Sequence, residues 1–225
     1  MLGLGSSLAL GGAPSEWTVA DLPGIAHWFK YNTNLTLGTG DELDTWGDSY
    51  ASETFTVAAG KVKKNGGDLN FDTNNGRMDL DATWDPGSFS AYIVFRITDG
   101  TILNEELLYS GNSDFFRLNN STTARVRIGD TSNNDMALPG DEITQDTWLV
   151  LGMEWDGTTI SIYQDTDYAT PTTATDTDTF AGIKKLGLRS ASLDGQVREV
   201  VMVDNVLSGS DRESLMTHLI SVRDI

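Results

Sequence analysis

The run Trp148-Leu-Val-Leu-Gly-Met-Glu-Trp155, then Asp156-Gly157, then Thr158-Thr-Ile-Ser-Ile-Tyr-Gln164 decides the fold class. Both flanks are apolar or β-branched and of strand length. Two such runs joined by Asp-Gly predict a β-hairpin, because a type I′ turn needs positive φ at both central residues. Moving outward, Ser90-Ala-Tyr-Ile-Val-Phe-Arg-Ile97 is a nearly continuous apolar run, which predicts a central strand covered on both faces. Ala124-Arg-Val-Arg-Ile128 alternates strictly, so Val126 and Ile128 are expected inward and Arg125 and Arg127 outward. Ile25–Tyr31, Lys185–Arg189 and Gln196–Val203 add three more strands. Strands at this density, separated by Gly, Asn and Asp, predict an all-β sandwich or jelly roll.

Two segments depart from that pattern. Ser210-Asp-Arg-Glu213 reads as a capping box, and Leu215, Leu219 and Val222, widened by Met216 and Ile220, recur at helical spacing. A C-terminal helix lying on the sandwich is expected. Asp165–Asp178 is rich in Thr, and its Pro171 disfavours a central strand, so it reads as an edge excursion.

The 225 residues fit one large domain, since sandwiches run to about 250 residues as one unit. There are 33 Asp+Glu against 15 Lys+Arg, a formal charge of −18. That surplus repels phosphate and speaks against nucleic acid or an anionic membrane as a partner. No cysteine is present, which excludes disulfides, thiolate nucleophiles and cysteine metal sites. The opening Met1-Leu-Gly-Leu-Gly-Ser-Ser-Leu-Ala-Leu10 lacks a positive n-region, the first basic residue being Lys30. Residues 1–14 carry no charged side chain and are expected to form an anchoring arm, with 15–225 as the folded domain. Leu2, Leu4, Leu8 and Leu10 are its candidate contacts, docked on a partner or a sister subunit, or folded back on their own domain.

The order of these pieces resembles the concanavalin A-like, laminin-G-like jelly rolls of bacterial and phage surface proteins. The match rests on Leu22–Lys30, Trp46-Gly-Asp48, Asp68–Asp72 leading to Met78-Asp-Leu80, the hairpin Trp148–Tyr163, and Asp194–Val203 with the final helix. The opening Met-Leu-Gly-Leu-Gly-Ser-Ser-Leu resembles the start of structural proteins of marine tailed phages. The resemblance implies a concanavalin A-like jelly-roll sandwich with one C-terminal helix and an extended N-terminal arm. It also implies a non-enzymatic decoration module on a virion surface. Its partners would be the major capsid protein or other virion proteins, in a homo-oligomeric or multicopy array. The alternative it implies is a lectin-like, glycan-binding module of a tail or fibre; a carbohydrate-active enzyme is the remote third.

Candidate chemistry is sparse. Glu154-Trp-Asp156 and Glu42-Leu-Asp44 have the i, i+2 spacing that puts two carboxylates on one strand face, as glycosidases need. Asp156 is expected in the turn, however, and Glu42 in a loop, so no catalytic residue is assigned. His27 and His218 read as structural. Relatives often hold calcium with rim loops, and Asp72–Asn75, Asp130–Asp135 and Asp176–Asp178 offer oxygen ligands. Asn and Asp also cap their own turns, so no metal residue is assigned and no cofactor is expected beyond calcium as a candidate. The family framework places Trp28, Trp46, Trp148 and Trp155 in the core and Trp17 in the linker. Trp84, in Ala82-Thr-Trp-Asp-Pro-Gly87, is the candidate glycan contact.

Overall fold

A computed structural model describes residues 17–71, 76–98, 102–110, 114–129, 132–187 and 193–225. The chain begins with β1 (Ile25–Phe29), β2 (Leu35–Leu37), β3 (Leu43–Gly47), β4 (Thr54–Ala59), β5 (Lys63–Asn65) and β6 (Asp68–Asn70). It continues through β7 (Arg77–Trp84), β8 (Phe89–Ile97), β9 (Glu105–Tyr109), β10 (Phe115–Asn120), β11 (Thr123–Arg127) and β12 (Asn134–Ala137). The last strands are β13 (Leu149–Trp155), β14 (Thr159–Gln164), β15 (Thr172–Thr175), β16 (Ile183–Gly187) and β17 (Gly195–Val203), followed by α1 (Gly209–Arg223).

These strands form two antiparallel sheets. One runs β15-β14-β13-β8-β17-β6-β5, with β1 also paired to β17; the other runs β12-β11-β10-β9-β16-β7-β4-β3-β2. The all-β sandwich with a C-terminal helix is therefore present as expected. Alternation along β8 explains its apolar sequence. Phe89, Ala91, Ile93, Phe95 and Ile97 face the second sheet, while Tyr92 and Val94 face α1. β13 repeats this, with Leu149, Leu151, Met153 and Trp155 inward and Val150 toward the helix. The first sheet is thus sandwiched between the second sheet and a helical layer in which Leu215, Met216 and Leu219 are fully buried. Gly152 lies beneath the Tyr92 ring, where an added Cβ would sit 2.2 Å from Tyr92 Cε1.

Three local readings are corrected. The β13–β14 turn has Gly157 and Thr158 at its centre, closed by Asp156 N–H donating to the Thr159 carbonyl at 3.2 Å. Only Gly157 has positive φ, at 98°, the pattern of a type II′ turn with Gly first rather than type I′. Asp156 is a side-chain cap, accepting from the Thr158 and Thr159 amides at 2.8 and 2.7 Å. The helix is capped by Ser208, whose Oγ accepts from Asp211 N at 3.2 Å, two residues before the expected box at Ser210. Ser208 wins because its extended backbone (φ −61°, ψ 160°) suits a cap, while Ser210 already lies inside the helix. Trp148 is half-buried rather than in the core: its ring is flanked by the guanidinium groups of Arg198 at 3.9 Å and Arg96 at 5.0 Å. The Thr-rich excursion supplies β15, an edge strand that starts directly after Pro171.

Candidate functional site

One end of the sandwich carries a cleft of about 470 Å³ where both sheets contribute. β1 supplies His27, the β3–β4 connection supplies Glu53, the end of β7 and the β7–β8 crossover between the sheets supply Thr83, Trp84 and Asp85, and Asp204 follows β17. A register shift between Ile25 and His27 sets the direction of the histidine. Before the shift Ile25 packs on the helical side; after it Phe29 packs between the sheets. His27 shares the parity of Phe29, which turns its imidazole toward the end of the inter-sheet core, with ring centroids 6.1 Å apart.

Asp48 lies directly behind the cleft with its side chain fully buried. Its Oδ2 is 2.9 Å from His27 Nδ1. Its Oδ1 accepts from the amides of Trp28 at 3.0 Å and Tyr50 at 2.7 Å. Burial pushes this carboxyl upward, but the His27 contact and the amide bonds from Trp28, Tyr50 and Ala51 outweigh it and hold the group below its ordinary range. Glu53 Oε2 approaches the same imidazole nitrogen at 3.8 Å. Trp84 Nε1 donates to Asp204 Oδ1 at 2.6 Å, and the indole packs edge-on against Phe89 and Phe180. The cleft therefore offers carboxylate acceptors, an imidazole and an indole wall. No Lys or Arg is among its described lining residues.

The residues singled out in the sequence fall in different places. Trp84 is in the cleft, as a buried wall with 6% of its surface exposed rather than as an open platform. Leu2, Leu4, Leu8 and Leu10 lie outside the described residues. Glu154 is buried between β13 and α1. Arg212 grips both its oxygens at 3.0 and 2.6 Å, and the Tyr92 and Tyr163 hydroxyls donate at 2.6 and 3.1 Å. That carboxylate has no access to a substrate. Glu42 pairs with Lys61 at the surface. Of the calcium candidates, Asp72–Asn75 and Asp130–Thr131 lie outside the described residues. Asp135 pairs with Arg125, and Asp176 accepts from Asn134 Nδ2 at 2.7 Å and from the Asp178 amide at 3.0 Å. His218 binds Glu199 at 2.7 Å beside the Trp28 indole N–H, a structural contact. His27 is the residue that sequence reasoning passed over: its partner is 21 positions away, and the bulge that aims it leaves no mark in Ile25-Ala-His-Trp-Phe29.

A larger cleft of about 730 Å³ lies between the 141–148 loop and the C-terminal end of α1. Its one cation, Arg223, is already spent on Asp165 and Asp224 at 2.8 Å each. The remaining Asp141, Glu142 and Asp146 are exposed acids with no imidazole among them. The smaller rim cleft carries the denser chemistry.

No family model matches the chain, and no curated protein matches it. Solved structures do. The binding domain of botulinum neurotoxin DC, solved in complex with SialylT, superposes with a TM-score of 0.61 at 13% identity over 90% of this chain and 52% of that one. The serotype D/C VPI 5993 binding domain gives 0.61 at 14% identity, over 90% and 53%. A Trypanosoma rangeli sialidase gives 0.59 at 12% identity, over 88% and 33%. The chain spans about half the length of the toxin domains and a third of the sialidase. At these identities the likeness shows a shared β-sandwich, jelly-roll-type fold.

Proposed function

We propose that this chain is a non-enzymatic carbohydrate-binding module whose rim cleft takes neutral or amine-bearing sugars. The observation that carries the proposal is the cleft's composition: Glu53, Asp85 and Asp204 as acceptors for hydroxyl or ammonium donors, an imidazole, an indole wall, and no cation among the described lining residues. Sugar hydroxyls are bound by planar carboxylates beside aromatic rings, and such a pocket leaves an acidic sugar's carboxylate without a partner. The neighbouring toxin domain solved with SialylT supports glycan binding as a use of this fold. The non-enzymatic reading is supported by Glu154 being buried and paired with Arg212.

The virion-decoration expectation rests on the sequence resemblance and on residues 1–14, which lie outside the described residues; the structural neighbours support the glycan reading instead, which takes precedence. A tail or fibre setting belongs to the proposal and rests on the sequence resemblance. A glycan array with the intact chain tests the reading. Neutral or amine-bearing glycans are expected to bind at least about tenfold better than sialylated ones, a difference of about 1.4 kcal/mol. Glu53→Gln and Asp204→Asn should each weaken binding by a similar factor. No bound glycan, or binding untouched by both substitutions, would sink it.

A further inference from the structure

We infer that His27, Asp48 and Glu53 form a divalent-metal site at the floor of the rim cleft, suited to zinc or manganese. His27 Nδ1 and one oxygen from each carboxylate lie within 4.8 Å of one another. The two separations from the imidazole nitrogen are 2.9 Å to Asp48 and 3.8 Å to Glu53. Ligands at about 2.1 Å from one ion stand about 3.0 Å apart in octahedral and about 3.4 Å apart in tetrahedral geometry. Asp48 already has that spacing from the imidazole, and a shift of a few tenths of an ångström brings Glu53 to it.

The arrangement has further properties of a built site. Asp48 Oδ1 is held by two backbone amides, which orients Oδ2 toward the imidazole as outer partners orient a metal ligand. The Glu53 side chain is 31% exposed, and among the described residues its carboxylate has no other partner. It is free to close on an ion. The cluster holds two carboxylates, and among the described residues no Lys or Arg pairs with either. A divalent ion would take the place of a cationic partner between the two carboxylates. One imidazole with two carboxylates suits zinc or manganese, whereas calcium takes six to eight oxygens. His27 and Glu53 line the cleft, so the open coordination positions face it and take water or a sugar hydroxyl. Metal uptake stands without the glycan reading and is measured without any sugar.

The test is calorimetric titration of the intact chain, stripped with a chelator, with zinc chloride, manganese chloride and calcium chloride in turn. One zinc or manganese ion per chain is expected, at micromolar dissociation constant or tighter, with a rise of several degrees in Tm at saturation. His27→Gln and Glu53→Gln should each weaken uptake by about tenfold or more. Glu53→Gln keeps the proposal testable if His27→Gln unfolds, because Glu53 is partly exposed. His218→Gln should leave uptake unchanged. Absence of one-to-one uptake, uptake indifferent to both site substitutions, or calcium bound more tightly than zinc each overturns the site as assigned. In that event the His27–Asp48 contact is a hydrogen bond only. The glycan array, run on the stripped protein, is scored separately.

Discussion

Glu154 shows how far a residue's surroundings outrun its spacing. Its i, i+2 relation to Asp156 suggests paired carboxylates, yet its two oxygens meet Arg212, 58 positions away on α1, and two tyrosines on neighbouring strands. Burial and the adjacent Glu154 charge push the Tyr163 hydroxyl up to about 12, so it stays protonated and donates throughout the neutral range. Burial and the same carboxylate also push the Tyr92 hydroxyl well above its ordinary range. Arg212 is the only cation in this buried set among the described residues. Arg212→Ala should therefore cost about 3–5 kcal/mol, because it leaves a desolvated carboxylate unpaired. Adding Glu154→Leu should recover part of that loss, the sign of coupling expected for residues in contact. Urea denaturation of the single and double variants measures both effects. A double variant less stable than Arg212→Ala would contradict the assignment of the cost to the stranded charge.

At the scale of elements, what was legible followed from periodicity, and what was not followed from bulges and caps. The two-sided burial of β8 and β13 is written in their unbroken apolar runs, and the α1 stripe in the spacing of Leu215, Leu219 and Val222. The bulge in β17 also leaves a trace. Val197 and Val200 both face inward although three apart, with the polar pair Arg198-Glu199 absorbing the shift. The β1 bulge leaves none, which is why His27 read as an ordinary strand histidine and the rim cleft went unassembled. Asp-Gly located the β13–β14 hairpin correctly but misled on turn type, since Asp156 serves as cap. The Thr159 amide, then the Thr158 hydroxyl and amide, hold its carboxyl below the ordinary 3.8. A depressed folded pKa means stabilisation that is present above the unfolded value and lost as pH falls through the folded one. Asp156→Ala should therefore cost about 1 kcal/mol at neutral pH. The gap to the parent should shrink between about pH 5 and about pH 2. Parallel stability curves across that range would refute a charge-based cap.

For the molecule as a whole, the surplus of acids decides how it responds to salt. Its guanidinium groups are largely committed locally: Arg125 to Asp135, Arg198 to Asp68, Arg212 to Glu154 and Arg223 to Asp165. With 33 acids against 15 basic residues, many carboxylates are left to repel one another across the surface. Two opposed effects follow when salt is added. Surface ion pairs weaken, but each is worth only about 0–1 kcal/mol. Repulsion among the excess acids weakens as well, and it is summed over 18 unbalanced charges. The Debye length falls from about 30 Å at 0.01 M to a few Å near 1 M, shorter than the spacing of most surface charges but not of contact pairs. Relief of repulsion should therefore win, and Tm should rise with sodium chloride across that range. Replacing three exposed acids, Glu42 excepted because it pairs with Lys61, by Gln should flatten the rise. A Tm that falls with sodium chloride would mean that the ion pairs, not the surplus, dominate the electrostatic free energy. The same titration separates ligand classes at the cleft: a neutral sugar should bind with little salt dependence, whereas an amine-bearing one should weaken as its attraction to Glu53, Asp85 and Asp204 is screened.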